Sequence, residues 1–200
     1  MLFDLFSSLE TLFIVIIALL SAITIHEFSH AWVADRLGDP TPRLMGRVTL
    51  NPLAHLDPIG TIALLLIGFG WGKPVQFDPF NLENPRRDSA LVALAGPASN
   101  IVIILILTII YRLTPITLLE PFIGYNVVLA LFNLIPIHPL DGFKIVGGIL
   151  PEDRSEAWYR LERYGLYLLL IILLPIFNGR SLVSQILGPL LDNILSLLIG

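Results

Sequence analysis

The chain contains no cysteine among its 200 residues. That absence excludes disulfides, thiolate nucleophiles and thiolate metal sites together. Charge is also scarce: Asp, Glu, Lys and Arg make up 14% of the residues, 55% are hydrophobic, and the mean hydropathy is +0.81. A soluble domain of this size has too little interior to hide so much apolar sequence, so the composition is that of an integral membrane protein. The formal net charge of −4 argues against nucleic acid as a partner. Residues 1–10 contain Asp4 and Glu10 and no basic residue, unlike a cleavable signal. No internal repeat and no low-complexity segment is found. A single membrane-embedded domain over residues 1–200 is expected, with a core of 6–148 and C-terminal helices within 152–199.

Five apolar segments predict an all-α polytopic membrane protein with about five transmembrane helices: 6–37, 89–111, 121–137, 161–177 and 182–199. The last is partly polar. The apolar stretch 59–69 spans only about 17 Å against a hydrocarbon core of about 30 Å, so it reads as re-entrant. That reading places ten of the twelve basic residues on one side, leaving Arg112 and Arg180 on the other. The positive-inside rule makes the richer side cytoplasmic. The N-terminus is then outside and, if the last segment crosses, the C-terminus inside. Residues 43–50 and 73–77 read as extended, which predicts a small membrane-associated β-sheet. Residues 152–163 read as the charged start of a helix.

Against this background the residues His26-Glu27-Phe28-Ser29-His30 stand out at the end of a long apolar run. On a helix, two histidines four residues apart project from one face and can hold one metal ion. The intervening Glu can serve as general base toward water activated by that ion. Ionisable residues at membrane depth are costly without partners, so they are functional by default. A third protein ligand is required, and without cysteine it must be His, Asp or Glu. His55, His138, Asp57 and Asp141 are the candidates. Asp141 is favoured because Pro136, Pro139 and Gly142 break its segment into the irregular backbone that lines membrane cavities. A turn Asp before Gly is the plainer alternative.

Further patterns surround this one. Asn51-Pro52-Leu53-Ala54-His55-Leu56-Asp57-Pro58-Ile59-Gly60, Gly70-Trp71-Gly72-Lys73-Pro74-Val75, Ala95-Gly96-Pro97-Ala98-Ser99-Asn100 and Asn133-Leu134-Ile135-Pro136-Ile137-His138-Pro139-Leu140-Asp141-Gly142 follow HExxH in order. Together, over about residues 20–148, they resemble the site-2 protease family of intramembrane zinc metalloproteases, peptidase family M50. The resemblance implies one Zn2+ per chain on His26, His30 and Asp141, with Glu27 as general base. It implies hydrolysis of peptide bonds in or near a membrane helix of a substrate protein, within regulated intramembrane proteolysis. The setting is the inner membrane of a prokaryote, with lipid, a transmembrane substrate and a second copy of the chain as partners. Residues 1–200 hold no PDZ or CBS domain and no crossing before the HExxH helix, which leaves the mode of substrate selection open.

Other positions carry two readings each. Asn133 is a candidate catalytic donor to an oxyanion or a helix–helix hydrogen bond. Asn100 is a substrate contact or a packing group among small residues. His55 is a substrate contact, a group behind the ligands or a regulator of water access. His138 is read as non-ligating and Asp57 as a cap. Lys73, Pro74 and Val75 are read as substrate-binding by strand addition. A membrane metallohydrolase cutting soluble or prenylated peptides would also use HExxH, but with a downstream Glu or His as third ligand. A zinc-dependent scaffold or transporter would have no need of Glu27.

Overall fold

The computed structural model describes residues 8–60, 71–175 and 179–200. Helix α1 (Leu9–Arg36) begins where the Ser8 hydroxyl accepts the Thr11 N–H at 3.1 Å, a serine cap. Its 28 residues extend about 42 Å, more than the hydrocarbon core. Helix α2 (Pro85–Leu113) opens with proline, whose missing N–H costs nothing at a first position. The Asp88 carboxylate accepts the Asn84 N–H at 2.8 Å and satisfies that end. Helix α3 (Glu120–Asn133) follows, then the irregular residues 134–140. After them come α4 (Asp141–Ile149), α5 (Glu152–Tyr159), α6 (Glu162–Leu173) and α7 (Leu182–Ile199). The charged helix expected at 152–163 breaks at Arg160, between α5 and α6.

Helix α2 is the centre of the bundle and packs against α1, α3 and α4. The buried surfaces between α1 and α2 are built from small residues: Ala18, Ala22, Ala31 and Ala34 meet a helix that buries Ala93, Gly96 and Pro97. In lipid, close backbone approach supplies the packing that hydrophobicity supplies in water. Large apolar side chains such as Phe13, Ile17, Leu105 and Ile109 point outward. A second apolar cluster, Ile104, Ile123 and Val127, receives Leu191, Ile194 and Leu198 from α7.

Helices α1, α2 and α7 are long and apolar enough to cross a membrane. The apolar run Thr117–Asn133 is shorter, about 25 Å, and α6 reaches only about 18 Å. Of the five crossings expected, three are matched by helices of sufficient length among the described residues, and the ends of α7 give its direction. At its C-terminus the Arg112 guanidinium, which closes α2, donates to the carbonyls of Leu197 and Leu198. At its start, Ser181 and Ser184 line an apolar cavity of about 250 Å³ with Phe132, near the end of α3. Glu162 pairs with His138 of the irregular segment after α3, and Ser181 lies near Phe132 at the end of α3. Helix α6 covers 162–173 of the apolar segment 161–177, whose last two residues fall outside the described ones. The last residues of α7 lie beside Arg112.

The predicted sheet is not found among the described residues. An antiparallel bridge joins Leu56 to Gly72, and no strand forms over 43–50 or 73–77. Residues 41–44 form a helical turn instead, and Thr49 is drawn into a local bond to the Arg47 carbonyl. Of the predicted re-entrant stretch only Ile59 and Gly60 fall among the described residues, and Gly70 also falls outside them.

Candidate metal centre

The HExxH helix was expected to present both histidines on one face, and α1 does so. His26 and His30 are buried, and their Nε2 atoms lie 3.0 Å apart. The Asp141 Oδ2 stands 3.1 Å from the first and 3.3 Å from the second. These three atoms form the one His/Asp/Glu group among the described residues arranged to hold a metal ion.

The outer edge of each imidazole fixes its proton. His30 Nδ1 lies 2.7 Å from the Val92 carbonyl, which can only accept, so Nδ1 donates. His26 Nδ1 lies 2.7 Å from Asn100 Oδ1. The Asn100 amide is oriented by its own Nδ2, which donates to Asn126 Oδ1 at 2.8 Å and toward the Ala22 carbonyl at 3.4 Å. Hence His26 Nδ1 is also a donor. In neutral rings both Nε2 atoms are then acceptors, and they converge with a buried carboxylate oxygen that has no hydrogen-bond donor of its own. Such a point needs a positive species. Tetrahedral coordination with bonds of 2.0–2.1 Å places ligand atoms about 3.3–3.4 Å apart, close to the observed triangle. The residues fit zinc.

Two local features let the triangle close. A Cβ on Gly96 would lie 2.3 Å from His30 Nε2 and 2.6 Å from His26 Cε1, so only glycine admits the rings against α2. A Cβ on Gly142 would lie 2.3 Å from the Leu134 carbonyl, which ties the Pro-broken loop to the start of α4 and sets Asp141 in its first turn.

Glu27 lies beside this triangle, and its Oε2 accepts the Val75 N–H at 3.1 Å. Val75 is half-buried, while Lys73 and Pro74 are exposed. The Lys73 N–H donates to the His55 carbonyl at 2.8 Å. His55 is wholly buried and its Nε2 donates to the Thr49 carbonyl at 2.8 Å. Asn100 is wholly buried as well. His55 and Asn100, expected at the substrate, are both engaged with neighbours here: His55 with the Thr49 carbonyl and the Lys73 N–H, Asn100 with His26 and Asn126. Asn133 turns its Nδ2 onto the Leu129 carbonyl of its own helix at 3.0 Å, a bond that neither expected reading included. His138 is apart from the triangle, with Nδ1 3.5 Å from Glu162. Asp57 accepts the Gly60 N–H at 2.8 Å, as a cap does.

Three contributors had gone unnoticed. Asn126 extends the His26–Asn100 chain into α3, where its Nδ2 donates to the Phe122 carbonyl. Asp39 is wholly buried and gathers Thr41, Asp78 and Asn81. Lys144, one turn beyond Asp141, holds its ammonium 4.4 Å from the Phe77 ring centroid, and burial pushes that ammonium below its usual range.

Residues 14–123 match the model of peptidase family M50. The chain is 37% identical over 200 residues to YwhC of Bacillus subtilis (strain 168), covering 91% of this chain and 89% of that protein. It is 31% identical over 185 residues to Rip2 of Mycolicibacterium smegmatis, covering 83% and 69%. It is 25% identical over 192 residues to MJ0392 of Methanocaldococcus jannaschii, covering 94% and 46%. All three carry the words zinc metalloprotease in their names. No solved structure matches the chain significantly. The fold and the site define a membrane zinc metalloprotease. The chain belongs to peptidase family M50, the site-2 protease family.

Proposed function

We propose that the chain is an intramembrane protease that cuts peptide bonds in or near the membrane helices of other proteins. The observation that carries this reading is the convergence of three acceptor atoms within 3.3 Å, beside Glu27 on a membrane-spanning helix. His26, His30 and Asp141 would hold the ion. When bound, zinc supplies a Lewis acid toward a carbonyl oxygen and water acidified toward neutrality. Asn100 and the Val92 carbonyl keep both Nε2 atoms free of protons. Glu27 takes the water proton and passes it to the leaving amine. The Val75 N–H keeps the Glu27 carboxylate aimed while leaving its second oxygen available.

A helical substrate hides its carbonyls in internal hydrogen bonds and must unwind to be cut. Residues 73–77 supply an edge for the unwound strand. Lys73 and the Val75 N–H are turned inward, whereas the exposed Gln76 has no backbone partner among the described residues. We read all the basic residues but Arg112 as sharing a side with the metal centre, which the positive-inside rule makes cytoplasmic, with Ser8 and Gly200 on the opposite side. In a prokaryote this membrane is the inner one.

The test compares metal content with cleavage of a model membrane-helix substrate in vesicles. Glu27→Gln keeps one zinc per chain and loses about 10²–10⁴-fold in turnover. Asp141→Ala loses the zinc and the cleavage together. Gln76→Pro keeps zinc and weakens substrate use. Undiminished cleavage by Glu27→Gln, or zinc retained by Asp141→Ala, would overturn the assignment.

A further inference from the structure

Arg47 is buried to 3% exposure, and no other lysine or arginine among the described residues is buried comparably. A guanidinium withdrawn from solvent costs several kcal/mol unless its donors and its charge are met. Here Nη1 donates to the Ala54 carbonyl and Nη2 to the Lys73 carbonyl. The negative group it faces electrostatically is Glu27. One planar fork thus joins the loop before Gly60 to the segment after Trp71, beside the bridge of Leu56 and Gly72.

The consequence runs along the backbone. Lys73 is held twice, with its N–H on the His55 carbonyl and its carbonyl on Arg47. In an extended chain, residues two apart point their main-chain groups the same way. Fixing Lys73 therefore aims the N–H of Val75, and that N–H is the group bonded to Glu27 Oε2 at 3.1 Å. We propose that Arg47 is a positioning residue of the protease: its fork on Ala54 and Lys73 sets the segment whose Val75 amide orients the Glu27 carboxylate.

This rests on the protease reading above for its effect on turnover, but the tie itself can be read without turnover. Lysine keeps the charge and cannot span both carbonyls as a planar fork does. The experiment compares wild type, Arg47→Lys, Arg47→Gln, Val75→Pro and the double variant Arg47→Gln with Val75→Pro. Zinc content, steady-state cleavage and hydrogen exchange of the 72–78 backbone are measured for each. Arg47→Gln is expected to keep one zinc per chain and to lower kcat about 100-fold, with KM changed less than about threefold. Arg47→Lys recovers part of that loss. Exchange at the Lys73 and Val75 amides of Arg47→Gln quickens about tenfold. The double variant is no worse than the poorer single one, since both act through one contact.

Unchanged exchange in Arg47→Gln, a loss confined to KM, additive losses in the double variant, or loss of zinc would each overturn the proposal. A wild type that cleaves no membrane-helix substrate overturns the protease reading instead. In that case the exchange comparison still decides whether Arg47 holds the segment.

Discussion

At the scale of single residues, the metal centre depends on one missing methyl group. Gly96 faces both imidazoles closely enough that alanine would displace them. Overpacking of this kind costs about 1–3 kcal/mol in ordinary cores, and here the strain falls on ligand atoms. Gly96→Ala is expected to lose zinc while the chain still inserts and remains helical, as metal analysis and circular dichroism would show. Asn126→Leu acts more remotely. It removes the acceptor that orients Asn100, and a loss of about tenfold in zinc affinity is expected, measured by chelator competition. The residues that converge in the triangle were legible in the sequence because their constraints are local. His26 and His30 share a helical period, and Asp141 lies where prolines and a glycine break a helix. Asn126 and Arg47 were not legible. An asparagine in an apolar helix carries no mark of a partner 26 residues away, and burial of a loop arginine is decided by carbonyls brought in from elsewhere.

At the scale of elements, the segment 73–78 is held in place although it pairs with no strand among the described residues. Arg47 and His55 hold its start, Glu27 its middle, Lys144 the Phe77 ring, and Asp39 the Asp78 N–H at 2.7 Å. Alternation in the sequence suggested a strand in a sheet. The extended shape is present, but its partners are side chains and loop carbonyls, which no periodicity announces. Asp39 gives this element a dependence on pH. Burial works to raise its carboxyl, but hydrogen bonds from Thr41, Asn81 and Asp78 hold it below its ordinary value of 3.8. A carboxyl depressed in the folded state stabilises fully above its unfolded value, and the contribution disappears as pH falls through the folded one. Asp39→Asn leaves a donor facing a donor and should cost about 1–3 kcal/mol near neutrality. Thermal unfolding in detergent should show a constant gap between wild type and variant above about pH 4, narrowing below it. A gap that widened in acid would contradict the assignment.

At the scale of the whole molecule, hydropathy identified the apolar segments but not their directions. Residues 161–177 are apolar enough for a crossing, yet helix α6 ends at Leu173 and Ser181 lies near Phe132. Length in residues is read from sequence, whereas the direction of α7 is set by its packing on Ile123 and Val127. Because the chain has no native cysteine, single reporters give a clean test. Cysteines placed at Ser8 and Gly200 should react with an impermeant reagent from the same side of a sealed vesicle, and one at Arg160 from the other. Opposite labelling of the two ends would restore a fifth crossing.

The converging acceptors of His26, His30 and Asp141 also reach beyond catalysis. His26 and His30 come from α1 and Asp141 from the start of α4, so an ion held by all three would tie together two helices that are far apart in the chain. Binding energy at such a site is also folding energy, and zinc would then act as a cross-link that raises the thermal stability of the bundle.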